Sequence, residues 1–431
     1  MLVQLQHNIE VLATGFFACA LAHTFATGWF NRAAANHREG SIAENFLHFL
    51  GEVEVVFGIW AGIFLLSFGL LEGSANAIAF LDGLKFTEPA FVFAIMVVAA
   101  TRPVLSATSA MMERVAALVA RGTGLAGAIP FFMTAMVAGP LAGSFITEPA
   151  AMTLTAIILQ QRIFRHKCSP LLKYGVLGLL FVNVSIGGVL TPFAAPPVVM
   201  VAGKWGWDLG FMMTHFGWRA IIAVFANAIL LTLVFRRELS AMPQPGSARN
   251  KSRANPSPVW LVAIHFAVLA SIVVYAHHLT VFGGILLFFL GITEITREYQ
   301  DTLRLRESLL VAFFLAGLVV LGKGQEWWLR PLLENASDTV IFWGATALTA
   351  ITDNAALTYL ASQVDTLSAP ARIAVVAGAV TGGGLTVIAN APNPAGYAIL
   401  KGQFGAAGIE PLKLLVAAIP PTLVAAICFM I

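Results

Sequence analysis

Apolar residues recur along this chain in unbroken runs about as long as a bilayer-crossing helix, and that spacing restricts the fold more than any other feature. A hydrocarbon core of about 30 Å takes roughly 20 apolar residues in a helix. Runs of that order fall at 8–30, 42–71, 87–102, 104–120, 171–203, 209–235, 258–277, 279–296, 305–322, 369–400 and 411–430. Two further segments, 125–163 and 337–365, are long but broken near the middle by polar residues. None of these runs alternates apolar with polar residues as barrel strands do, so helices are expected throughout. Charge agrees. Only 11% of the 431 residues are charged, against roughly 25% in a soluble domain, which is too little to cover a water-facing surface. Lipid has to cover it instead. The expected fold is an all-α polytopic membrane protein of about 11 spans plus 2 hairpins.

The same composition removes other classes. A net charge of +3 spread over loops gives nucleic acid nothing to bind. Cys19, Cys168 and Cys428 lie far apart, with no CxxC and no metal-ligand spacing. The first apolar run, Ile9 to Phe30, contains Glu10 and His23 and lacks a basic leader. It therefore reads as a first membrane helix rather than a cleaved signal. Segment 104–120 carries Glu113 and Arg114, so it either spans or lies in the interface.

One linker looks soluble. Residues 236–257 are rich in Pro, Gly and Ser and include Arg236, Arg237, Arg249, Lys251 and Arg253. By the positive-inside rule it is cytoplasmic. Counting back, 171–203 runs outward from a cytoplasmic start at Arg162, Arg165 and Lys167, which is also basic. The linker divides the chain into 1–235 and 258–431, and each half repeats the other. Ile146-Thr-Glu-Pro-Ala-Ala-Met-Thr-Leu154 returns as Ile351-Thr-Asp-Asn-Ala-Ala-Leu-Thr-Tyr359, five of nine positions identical. Gly187-Gly-Val-Leu-Thr-Pro-Phe-Ala-Ala-Pro-Pro197 returns as Gly382-Gly-Gly-Leu-Thr-Val-Ile-Ala-Asn-Ala-Pro392, six of eleven identical. A weaker match pairs Glu52–Gly62 with Glu307–Gly317. Span counting makes 125–163 start inside and 337–365 start outside, so the repeats are expected to be inverted, with a solute site between them.

The repeated blocks suit such a site. Gly-Gly, Thr-Pro and Pro-Pro inside an apolar run imply unwound backbone buried in protein, at broken helices 171–203 and 369–400. An isolated proline could mean only a kink, but the whole pattern occurs twice. Glu148 and Asp353 fall mid-segment in 125–163 and 337–365, where they are expected at re-entrant hairpin tips. A carboxylate at that depth costs about 3 kcal/mol by insertion scales, so it should be functional or paired, and neither hairpin tip has an arginine beside it. Thr147, Glu148, Thr191, Thr352, Asp353, Asn354, Thr386, Asn390 and Asn393 are the expected ion-binding set. Sodium favours several oxygens, here from Asp353, Asn354, Thr352 and carbonyls freed around Ala389 to Pro392, with Glu148 as second carboxylate. Glu52 and Glu307 either serve a proton path or sit at helix ends. His48 and Glu52 have i, i+4 spacing on one helix face. His23 and His265 read as histidines that hydrogen-bond a neighbour, and Trp327 and Trp328 as an interfacial anchor.

These blocks, Ile-Thr-(Glu/Asp) followed by Gly-Gly-x-Leu-Thr running into prolines, resemble the ion transporter superfamily of divalent anion/sodium symporters, arsenical pumps and sodium/proton antiporters. Thr352-Asp353-Asn354-Ala355-Ala356 is similar to the Asp-Asn hairpin tip of the antiporter and arsenical branch. Ala389-Asn390-Ala391-Pro392-Asn393 is similar to the Gly-Thr-Pro-Pro-Asn stretch of the symporters, with Ala195-Pro196-Pro197 as its first-half counterpart. The sodium/proton antiporter family resembles the chain most. The resemblance implies two inverted repeats, re-entrant hairpins, a scaffold-and-transport arrangement and a homodimer. The chain departs from the symporters in reading Thr147-Glu148-Pro149 and Thr352-Asp353-Asn354 where they carry Ser-Asn-Thr, and Val198 follows its first Pro-Pro.

Two fixed negative charges attract cations and repel a dianion. Unit charges 4 Å apart at an effective dielectric of 20 interact by about 4 kcal/mol, enough to decide the sign of a substrate. The expectation is secondary active exchange of sodium, or another monovalent cation, for protons, with no further cofactor and with lipid as the surrounding partner. The expected location is a cell membrane, a bacterial inner membrane. The alternatives are a transporter of a dicarboxylate or arsenite coupled to a cation, a channel, and a membrane-embedded enzyme. For the last, no HExxH or Gly-x-Ser-x-Gly motif is present.

Overall fold

The computed structural model describes residues 2–243, 257–405 and 408–431. Within the expected cytoplasmic linker, 244–256 with Arg249, Lys251 and Arg253 lie outside the described residues. Every regular element among the described residues is helical. The first half comprises α1 (Leu2–Ala34), α2 (Ile42–Leu50), α3 (Val53–Glu72), α4 (Ser74–Asp82), α5 (Thr87–Ala99), α6 (Arg102–Thr123), α7 (Ile129–Ile146), α8 (Glu148–Arg162), α9 (Pro170–Gly187), α10 (Pro196–Trp205), α11 (Leu209–Met212), α12 (Trp218–Val234) and α13 (Arg236–Ala241). The second comprises α14 (Val259–Val274), α15 (Leu279–Ile295), α16 (Leu305–Gly322), α17 (Glu326–Glu334), α18 (Asp338–Thr349), α19 (Asn354–Ser362), α20 (Ala369–Gly382), α21 (Asn393–Leu400) and α22 (Pro411–Met430).

Seven described helices are long and apolar enough to cross a membrane, or eight if the bent pair α5–α6 is one span. Several of the expected apolar runs are divided or bent, for physical reasons. The 42–71 run is two helices, because the chain turns at Gly51, whose carbonyl accepts from Asn31 Nδ2 at 3.0 Å. That turn also separates His48 from Glu52, so they share no helix face. His48 lies instead 3.6 Å from Glu44, and Glu52 pairs with Arg306 at 2.6 Å. The 87–102 and 104–120 runs are α5 and α6, bent by 66° before Arg102-Pro103. On α6, Glu113 is paired with Arg162 at 2.9 Å. Helices α14 and α15 have 16 and 17 residues, about 24–26 Å at 1.5 Å per residue and so a little short of the hydrocarbon core.

The polar and apolar groups sort as a lipid-covered bundle requires. Leu233, Val234, Leu287, Phe288 and Ile295 are exposed on α12 and α15, a burden in water and an advantage in lipid. His265 and His23 each bond to neighbours, Leu261 O at 2.8 Å and Leu50 O at 2.9 Å. Trp327 and Trp328 lie on the short helix α17, with Trp328 Nε1 donating to Gln325 at 2.8 Å.

Inside, α9 and α20 are the buried centre, with few residues exposed after their first turn. Helices α3 and α16, the weakly matched pair, cross backbone to backbone. A Cβ at Gly317 would lie 2.4 Å from Gly58 N, so only glycine allows this approach. The two strongly matched blocks take parallel forms. Helices α7 and α8 meet at Thr147, as α18 and α19 meet at Ile351–Asp353. Helices α9 and α10 are separated by a short 3-10 turn and unwound chain, as α20 and α21 are separated by 383–392. Two hairpin tips and two breaks therefore meet at the centre.

Candidate functional site

The first tip is a strained turn. Thr147 has φ 72° and ψ 150°, the one positive-φ non-glycine among the described residues. This region is nearly glycine-only, and holding a β-branched residue there costs about 1–3 kcal/mol. The strain is offset by stitching to the α9 break through Ser144. Its hydroxyl donates to Gly187 O at 2.7 Å and accepts from Leu190 N at 2.9 Å, and its carbonyl accepts from Thr191 Oγ1 at 2.6 Å. Glu148 follows, fully buried in the first turn of α8. Its Oε2 accepts from Asn390 Nδ2 of the opposite break at 2.9 Å. A Cβ on Gly188 would sit 2.3 Å from its Oε1, so the repeated Gly-Gly makes room for the carboxylate.

The second tip is built differently. Asp353 caps α19, its Oδ1 accepting from Ala355 N at 2.8 Å and Ala356 N at 3.2 Å. Ala391 of the α20–α21 break lines a small cavity with this carboxylate. Asn354 N donates to Ala389 O at 3.1 Å, tying the tip to the same break. The Asn354 side chain lies by Ser185 and Gly383, where an added Cβ would be 2.8 Å from its Nδ2. Asn393 Nδ2 donates to Gly383 O and Thr386 O, both at 2.8 Å, and Thr386 Oγ1 donates to Ala350 O at 2.8 Å. Thr352 is half-buried beside them, its amide bonded to Leu348 O.

The structure thus places Glu148 and Asn390, Asp353 and Asn354, and Thr386 and Asn393 around one junction. Glu148 and Asp353 are near enough for their charges to interact. Neither has a basic ion-pair partner among the described residues. Thr191 is at the junction too, but its hydroxyl is committed to Ser144. Glu52 and Glu307 lie further out, Glu52 paired with Arg306 and Glu307 exposed at the start of α16.

Five side-chain oxygens here are buried without a hydrogen-bond partner: Thr147 Oγ1, Glu148 Oε1, Asn354 Oδ1, Asn390 Oδ1 and Asn393 Oδ1. Buried polar atoms are almost always bonded, so such a cluster needs a reason. Carboxylate, amide and hydroxyl oxygens suit a hard cation. Among the described residues no group of three or more His, Cys, Asp or Glu could hold a metal ion, and the donor set is mostly neutral. A cavity of about 30 Å³ lies against Asp353 and Asn390. A second, of about 280 Å³, extends from Glu52, Arg304 and Arg306 to Thr147 and Pro149 at the first tip.

Sequence reasoning missed Ser144, Ser185 and Glu54. Ser144 had a signal, since the aligned position in the second copy is Thr349, also a hydroxyl. Ser185 aligns with Val380 and had none. Glu54 was passed over beside Glu52, yet it lines both cavities.

The sequence model of the family described as "Putative Na+/H+ antiporter" matches residues 8–431, nearly the whole chain. A search of curated proteins found no match.

Proposed function

The chain belongs to this Na+/H+ antiporter family, and we propose that it exchanges sodium, or another monovalent cation, for protons across the membrane by alternating access. It is a multi-pass membrane protein and a cation/proton transporter by family. The observation that carries the finer reading is the pair of buried carboxylates without an ion-pair partner among the described residues, Glu148 and Asp353, set among four further unpartnered side-chain oxygens. A proton and a cation competing for that one oxygen cluster is the minimum an exchanger requires. Asp353 is the principal exchange site, because Asn354 beside it offers a neutral oxygen, whereas Pro149 beside Glu148 adds only rigidity. Glu148 is the second carboxylate.

The architecture that goes with this reading is a pair of inverted repeats, 1–235 and 258–431, with re-entrant hairpins at 125–163 and 337–365, in a homodimer of a cell membrane. The paired hairpins and paired breaks support it, as do the basic segments near Lys167 and Arg236. On this topology the larger cavity opens to the cytoplasm. The test is flux in proteoliposomes with a trapped pH-sensitive dye, adding sodium, lithium and potassium in turn. Cation-dependent proton movement supports the reading. Uptake of a dicarboxylate or arsenite without such movement would replace it with the anion or metalloid alternative.

A further inference from the structure

Resting on that exchange reading, we propose that Glu54 is a third carboxylate of the transport route, handing protons between the larger cavity and Asp353. The two cavities do not share the deep oxygens. What they share is a wall made of Glu54, Val311 and Ala391. Of these three, only Glu54 can take up and release a proton. The larger cavity has Glu52 and Arg306 at one end, and the smaller one has Asp353 and Asn390. A proton moving from one to the other passes the Glu54 side chain.

The charges around Glu54 leave it free for this. Arg306 lines the larger cavity with it, but Arg306 is bound to Glu52 at 2.6 Å. Glu52 lies two residues back on the same chain, Arg304 and Glu307 line the larger cavity, and Asp353 faces from the second hairpin. Glu54 itself is in no ion pair among the described residues. It lines the smaller cavity together with Asp353. The repeat does not explain it. In the match of Glu52 with Glu307, Glu54 corresponds to Leu309, which is exposed.

The step balances simply. A hydronium in the larger cavity protonates the Glu54 carboxylate and leaves water. Glu54 then gives that proton to the Asp353 carboxylate, displacing the cation, and returns to its anionic form. The competing explanation is that Glu54 merely complements the N-terminus of α3, where an acid in the first turn is worth about 0.3–1 kcal/mol.

The experiment compares wild type, Glu54→Gln and Glu54→Asp, full length, in proteoliposomes. It reads sodium-driven proton flux from pH 6 to 9, alongside sodium binding to the detergent-purified proteins. Glu54→Gln should slow flux roughly tenfold or more and change its pH profile, while sodium affinity at alkaline pH stays within about twofold. Glu54→Asp should recover most of the rate, which also shows that the position tolerates change. Wild-type flux and pH profile in Glu54→Gln would overturn the proposal and leave the exchange reading standing. Loss of sodium binding in a folded Glu54→Gln would overturn it too, because Glu54 would then be a ligand. A wild type that moves no protons would overturn the exchange reading and this proposal with it.

Discussion

Asp353→Asn separates the structural duty of this side chain from its charge. The Asp353 carboxylate receives the amides of Ala355 and Ala356, and an asparagine oxygen can receive them as well, since Asn and Asp are both good N-caps. Hydrogen bonds to a charged group are worth about 1.5–3 kcal/mol against about 0.5–1.5 for neutral ones, so the cap weakens. The substitution also removes a buried charge, which costs free energy to hold. These two effects oppose each other, and the melting temperature should move little. Cation affinity should move a great deal. A unit charge 4 Å from a cation at an effective dielectric of 20 contributes about 4 kcal/mol, and a tenfold change is about 1.4 kcal/mol, so sodium binding should weaken by roughly a thousandfold. Proteoliposome flux with a trapped pH dye, plus a thermal melt of the purified protein, measures both. Asp353→Ala is the control, expected to lose affinity similarly and also about 1 kcal/mol of stability from the lost cap. A folded Asp353→Asn that exchanges sodium for protons at the wild-type rate would refute the assignment.

Glu148→Gln retains an oxygen for Asn390 but not the charge, so flux should persist with weaker sodium affinity and an altered pH profile; an unchanged profile would remove Glu148 from the exchange site. Gly188→Ala puts a methyl 2.3 Å from Glu148 Oε1, and overpacking of this kind costs about 1–3 kcal/mol. Its flux should drop, and Gly188→Ala combined with Glu148→Ala should melt above Gly188→Ala alone; no recovery would place the clash elsewhere. Thr147→Gly releases backbone strain of about 1–3 kcal/mol against the cost of glycine freedom of about 0.5–1 kcal/mol, so a thermal melt should show no loss of stability. A fall of several degrees would show that Thr147 is not strained.

The helical class and the places where helices break were legible because each depends on local chemistry in the sequence: apolar length, Gly-Gly, and prolines that remove amide donors. Hydropathy does not register the turn at Gly51, which depends on Asn31 some 20 residues away. The nearness of Glu148 to Asn390 and of Asp353 to Asn354 follows from the repeated blocks, but their hydrogen-bond partners were not legible. The hydroxyl of Thr191 donates to Ser144 O, a contact between segments 47 residues apart that local pattern does not register. The inward position of Glu54 was not legible, since only the fold, which sets the start of α3 across a small cavity from Asp353 and the α20–α21 break, separates an outward acid from an inward one.

Alignment also conceals a difference between the tips that bears on how the two halves are coupled. Glu148 and Asp353 occupy matched positions in the repeat, but the bonds they make are not equivalent. Asp353 is held largely by amides of its own helix, α19, so its carboxylate travels with that helix. Glu148 is one methylene longer and lies one position further into its helix. It crosses to the other half, taking the Asn390 amide at 2.9 Å. A movement of α7–α8 against the second half must break that bond, leaving a buried carboxylate with no protein donor. Such a carboxylate is costly unless it gains a proton or a cation. On the proposed exchange reading, movement of the first hairpin and occupancy of Glu148 would be linked, with Asn390 as the residue that links them.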